Sequence, residues 1–163
     1  DSNYIKFYKK YYNQLNNPFY FGYLIHLIVD QYWKAYVDPR YIKIIDGENY
    51  AKLKDGKLKK DENWFSYFEG LKMQKQIAKI FDLGIFPIDI KDIPNIYCNI
   101  DELNFDGIFG KSGTLSYINK ETMPSKNDEE SVVYDNDSII KAINETTEFV
   151  RKELHRLEQT IKQ

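Results

Sequence analysis

Hydrophobic positions recur at helical spacing near both ends of the chain. Residues 3–15 place the apolar side chains three or four positions apart, at Tyr4, Phe7, Tyr8, Tyr11 and Leu15. Lysine and asparagine fill the positions between them, which predicts an amphipathic helix with an aromatic side packed in the core. From Asn136 onward a similar spacing joins Ile139, Ile143, Leu154 and Leu157. This pattern predicts a long closing helix that begins at a polar cap.

The segment from Phe19 to about Val37 is apolar nearly all the way round. Asn17 and Pro18 precede it and suit the start of a helix. A helix of this composition is expected in the centre of a bundle. Its charged residues indicate a buried core helix and not a membrane span, and residues 38–40 are expected to end it.

The middle of the chain has less regular patterns. Two Asp-Gly turn dipeptides in residues 41–60 predict a loop or a small hairpin. Residues 61–84 predict another helix, and its inward side chains are expected to be Trp64, Phe68, Leu71, Ile77, Ile80 and Phe81. Prolines and glycines interrupt residues 84–134, which predicts a long irregular excursion. We therefore expect an all-α fold, a bundle of about four principal helices with this excursion over residues 84–134, in one domain spanning 1–163.

Composition narrows the classes of function. The formal net charge is −2, so we expect no general nucleic-acid binding through charge, and no transmembrane segment is expected either. The single cysteine, Cys98, has no partner for an internal disulfide. Twenty of the 23 basic residues are lysine, a bias typical of AT-rich bacterial coding sequences. The expectation is a soluble bacterial protein, in the cytoplasm or, if its N-terminus was processed, secreted.

His26 and Asp30 are the residues that suggest chemistry. A spacing of four puts an imidazole and a carboxylate on one face of the second helix, where they suit zinc or a similar cation. The alternative is structural, since a buried Asp30 would need an ion-pair partner. Lys34, Arg40 and Lys43 are the candidates for that partner.

The stretch from Phe21 to Trp33 resembles the central helix of the zinc-dependent phospholipase C family, in which a Gly-aromatic-Leu-x-His-x-x-x-Asp segment precedes an aromatic residue. The resemblance implies an all-helical metal-dependent phosphodiesterase, related to P1-type nucleases, and assigns His26 and Asp30 as metal ligands. The family also has a His-x-x-x-Glu ligand pair on another helix. The segment Phe65-x-x-x-Glu69 keeps the glutamate of that pair, so Glu69 is a candidate further ligand. Its alternative role is that of a solvated helical residue.

The resemblance also implies that more ligands precede Asp1. The chain would then be the C-terminal part of a longer domain holding one or two zinc ions. The expected function is hydrolysis of a phosphodiester such as a phospholipid head group. The alternative is a non-catalytic helical binding or interaction module with a structural His26/Asp30 core pair.

Overall fold

The computed structural model describes residues 3–63, 65–83 and 129–161, and this part of the chain is mostly helical. Its contacts divide it into two compact units. The first unit contains the described residues up to Lys43 and those from Ile140 onward. The second contains the described residues from Ile44 to Ile139.

Two helices begin the first unit, as the hydrophobic pattern predicts. Helix α1 spans Asn3–Tyr11 and continues into a 3-10 turn at Tyr12–Gln14. Helix α2 spans Pro18–Tyr32, and the Asn17 side chain accepts a 2.9 Å hydrogen bond from the backbone N–H of Phe19. The asparagine cap and the proline at the first helical position are thus confirmed as the start of α2.

The second helical segment continues past the predicted stop at residues 38–40. A π-helical turn at Trp33–Val37 follows α2 directly, and helix α3 spans Asp38–Tyr41. The backbone N–H of Asp38 bonds to the carbonyl of Trp33, five residues earlier. Because this wide turn ends just before Pro39, the proline falls in the first turn of α3, where its missing N–H and its ring are tolerated.

Burial along α2 differs from the expectation of a helix buried on all sides. The buried side chains are Tyr20, Leu24 and Ile28, which form one stripe. Contact with α1 covers the start of this stripe. Helix α2 packs on α1, where the ring centroids of Tyr11 and Tyr20 lie 5.3 Å apart, while Phe21 on another face is 40% exposed.

Residues 42–60 form a small sheet, so the all-α prediction is wrong for this part of the chain. Of the two structures predicted for residues 41–60, a loop or a small hairpin, the hairpin is present. Strands β1 (Ile42–Ile45), β2 (Glu48–Lys52) and β3 (Leu58–Lys60) lie in the order β1-β2-β3. Strands β2 and β3 are antiparallel, with Ala51 opposite Lys59. Asp46 and Gly47 join β1 to β2 with φ of 51° and 80°, the backbone that tight hairpin turns need.

Helices α4 (Phe65–Ile80) and α5 (Asn136–Ile161) confirm the two remaining helical predictions. The predicted inward face of α4 is wrong at Phe68 and Phe81, which are 51% and 39% exposed. Three others of its residues are half-buried, namely Leu71, Ile77 and Ile80, and Trp64 lies outside the described residues. The buried side chains of α4 are Glu69, Met73, Gln76 and Ala78.

Most of the excursion predicted over residues 84–134 lies outside the described residues. In its last six positions, Ser131, Val133 and Tyr134 are buried. Among the helices of the described ranges, none has the length and apolar character needed to cross a membrane.

Candidate functional site

His26 and Asp30 lie side by side on α2, as their spacing predicts. The Nε2 atom of His26 is 3.3 Å from Oδ2 of Asp30, and each side chain is 61% exposed. The expected burial of this pair in a bundle core is therefore wrong. Arg40, one proposed partner of Asp30, instead forms an ion pair with Glu145 in the same unit, at 2.6 Å.

The donor atoms of this pair suit a metal ion. Imidazole nitrogen and carboxylate oxygen are both common zinc ligands, at roughly 2.0–2.2 Å from the ion. Two such ligands of one tetrahedral ion lie roughly 3.3 Å apart by geometry, and the observed separation is 3.3 Å. A direct hydrogen bond between the same atoms is usually shorter, about 2.9 Å. The spacing is thus compatible with both atoms binding one cation.

The negative charge of Asp30 acts on a neighbouring carboxyl group. Asp38, in α3, has a pKa raised above its ordinary value by burial and by the negative charge of Asp30. A cation beside Asp30 would be favoured by this field. Within residues 3–63, 65–83 and 129–161, however, no three or more His, Cys, Asp or Glu side chains converge on a metal position. The described part of the chain thus supplies two ligands and not a complete site.

Because Asp30 is exposed, Asp30→Asn is expected to change the free energy of unfolding by at most about 0.5 kcal/mol. The carboxylate has a solvated environment, and an exposed i,i+4 pair contributes only a few tenths of a kcal/mol. Urea denaturation of the metal-free protein measures this difference. A loss of about 2 kcal/mol or more would instead indicate a buried, structural carboxylate.

Glu69 lies in the second unit and is only 2% exposed, so its predicted alternative role as a solvated residue is wrong. Its Oε2 atom accepts hydrogen bonds from the Ser131 hydroxyl at 2.6 Å and from the backbone N–H of Val132 at 2.7 Å. Its Oε1 atom accepts one from Lys72 Nζ at 2.9 Å. Both oxygens are engaged, and a metal ion at Glu69 would have to replace these bonds.

Hydrogen bonding explains the charge state of Glu69. Burial by itself raises the pKa of this carboxyl, but the hydrogen bonds from Ser131, Lys72 and Val132 and the charge of Lys72 outweigh it. The pKa of Glu69 is therefore lowered below its ordinary value, and the carboxylate is ionised at neutral pH.

A second buried side chain of α4 binds the same segment. The Oε1 atom of Gln76 accepts the Ser131 backbone N–H at 3.2 Å, and its Nε2 atom donates to Asn136 Oδ1 at 3.0 Å. The Ser131 hydroxyl oxygen also accepts the backbone N–H groups of Val133 and Tyr134, both at 3.0 Å. We call Glu69, Gln76 and Ser131, with their partners, the Glu69 cluster. It fixes the backbone just before α5 to α4.

Sequence reasoning missed Gln76 and Ser131. The one local signal is the spacing of Glu69, Met73 and Gln76, by four and then three, which places these three residues on one face of α4. Ser131 is 62 residues from Glu69 in the chain, and no local pattern links the two.

Comparison with known proteins returned no match for this chain among protein-family models, curated proteins or solved structures. The assignment of His26 and Asp30 as zinc ligands stays a prediction that rests on the resemblance of residues 21–33. The role of Glu69 as a further ligand stays a prediction that rests on the Phe65-x-x-x-Glu69 spacing.

Proposed function

We propose that this chain is a metal-dependent phosphodiester hydrolase of the zinc-dependent phospholipase C type, with His26 and Asp30 as metal ligands. The observation that carries the proposal is the 3.3 Å separation of the His26 and Asp30 donor atoms on an exposed face of α2. Their exposure leaves room for substrate and for the further ligands that the resemblance implies. Glu69 has a smaller part in the proposal, because its oxygens already accept three hydrogen bonds.

The two side chains would contribute differently. His26 would bind through Nε2 as a neutral imidazole, which requires its remaining proton on Nδ1. Asp30 would supply negative charge that offsets the charge of the cation and holds it against α2. A bound zinc ion supplies Lewis acidity, which makes bound water more acidic and offsets charge on a phosphoryl group.

Zinc binding tests the ligand assignment directly. The chain has two histidines, so imidazole NMR signals can be assigned with His26→Ala and His155→Ala. We expect zinc to shift the His26 signals, and His26→Ala and Asp30→Asn each to weaken zinc affinity at least tenfold. His155→Ala is the matched control, because His155 is an exposed histidine on a different helix, α5. Unchanged His26 signals at saturating zinc would contradict the assignment.

Hydrolysis tests the activity separately. With zinc present, we expect turnover of bis(p-nitrophenyl) phosphate, and a fall in kcat/KM of at least 100-fold for His26→Ala but not for His155→Ala. Zinc binding at His26 without turnover would support the metal site and contradict the proposed hydrolase activity.

A second candidate function is a non-catalytic binding module. Exposed aromatic side chains of the first unit favour it, since Tyr12, Phe21 and Tyr36 are each at least 40% exposed. Large exposed apolar groups commonly mark binding surfaces. Thermal unfolding with and without chelator separates the candidates, because a ligand that binds the folded state raises its stability. A metal enzyme is expected to lose stability with chelator, whereas a metal-free module is not.

A further inference from the structure

An open groove of about 570 Å³ lies in the first unit, and the proposed metal ligands are not among its lining residues. Residues of α1, α2 and α5 line it together with the turn after α1. Those that bear on its chemistry are Tyr8, Tyr12, Asn16, Phe21, Leu154 and Glu158. Its volume falls within the range of small-molecule binding sites, roughly 300–1,000 Å³.

The lining of the groove combines aromatic rings with one negative charge. Tyr12 and Phe21 are 43% and 40% exposed, so aromatic surface is open to a ligand. Glu158 is the charged side chain among the described lining residues, and none of those residues is basic. Aromatic rings and a carboxylate both attract cations, the rings through their negative faces.

The charge of Glu158 reaches the aromatic side of the groove. The pKa of Tyr8 is raised by burial, and Tyr12 and Glu158 raise it further through their charges. The Tyr8 hydroxyl is thus neutral, and Glu158 is the acidic residue among the described lining residues. The floor beside these polar groups is apolar, since Leu15, Leu24 and Leu154 also line the groove.

We propose that this groove binds an alkylammonium group. The ammonium would lie near Glu158 and the exposed ring of Tyr12, and the methylene chain would contact the half-buried side chains of Leu15 and Leu154. A free alkylamine and a lysine side chain of a peptide share this chemistry. The amide groups of Asn13 and Asn16, also in the lining, would hydrogen-bond to a peptide backbone but not to a simple amine.

Titration calorimetry with n-butylammonium tests the proposal, with 1-butanol as the neutral analogue that has the same alkyl chain. We expect saturable binding of the cation, at least threefold tighter than binding of the alcohol. Glu158→Gln is expected to weaken the affinity for the cation at least threefold, and Tyr12→Leu at least twofold. Glu148→Gln is the matched control, because Glu148 lies on the same helix but not in the groove.

The outcomes separate cleanly. Equal affinity for 1-butanol and n-butylammonium, or unchanged affinity in Glu158→Gln, would overturn the proposal. Because Glu158 is exposed, Glu158→Gln is expected to fold, and a circular dichroism spectrum checks this. Binding of Nα-acetyl-lysine N-methylamide distinguishes a peptide lysine from a free alkylamine as the natural ligand. Tighter binding than n-butylammonium supports a peptide lysine, and equal binding supports a free amine.

Discussion

Replacing Glu69 with alanine is expected to lower the free energy of unfolding by about 3 kcal/mol. The substitution removes the acceptor of the Ser131 hydroxyl and of the Val132 backbone N–H in a buried place, and it leaves Lys72 without this partner. A buried donor left unsatisfied costs its full desolvation penalty. Chemical denaturation monitored by circular dichroism measures the change. Glu62→Ala is the control, because Glu62 is an exposed carboxylate in the same unit.

The pH dependence of this effect has a defined sign. Because the folded-state pKa of Glu69 is lowered, its contribution is fully present above the pKa of an unfolded glutamate, about 4.3. The contribution is lost as pH falls through the folded-state pKa. The difference between the parent and Glu69→Ala is therefore expected to shrink under acidic conditions. A difference that stays constant down to the acid limit would show that the ionised carboxylate is not its source.

Leu24→Ala is expected to destabilise the protein by about 3–4 kcal/mol. Leu24 is 0% exposed on the buried stripe of α2, so truncation removes apolar contacts and leaves a cavity. Thermal or urea denaturation measures the loss. In metal-free protein, His26→Ala, two residues along the same helix, is the matched control and is expected to change stability by at most about 0.5 kcal/mol. Equal losses in the two variants would support the original expectation of a helix buried on all sides.

The helices and their starts could be predicted because their signals are local. Side-chain periodicity in α1 and α5, and the asparagine and proline at the start of α2, act within a few residues. The short distance between His26 and Asp30 could be predicted for the same reason, because the two residues are four positions apart on one helix. The burial of α2 is not local. Its sequence is apolar on several faces, and which face is covered depends on where α1 and α5 pack.

The polar interior of the second unit could not be predicted from local pattern. A rule that turns apolar residues inward selects Phe68 and Phe81, and both are exposed. Glu69 is buried instead, because Ser131 and Val132 supply hydrogen-bond donors from a distant part of the sequence. Burial of a carboxylate is favourable only with hydrogen-bond partners. Of these partners the sequence of α4 contains only Lys72.

The π turn at Trp33–Val37 contains one residue more than a regular helical turn, and the buried positions before and after it still lie on one face. Covered positions recur every four residues at Tyr20, Leu24 and Ile28, and half-buried Tyr32 follows at the same interval. The next step, to buried Val37, is five residues long, and Tyr41 then resumes the interval of four. The wider turn accommodates the extra residue. A helix can thus gain a residue by insertion while its side chains on both sides of the insertion keep the same face toward the core.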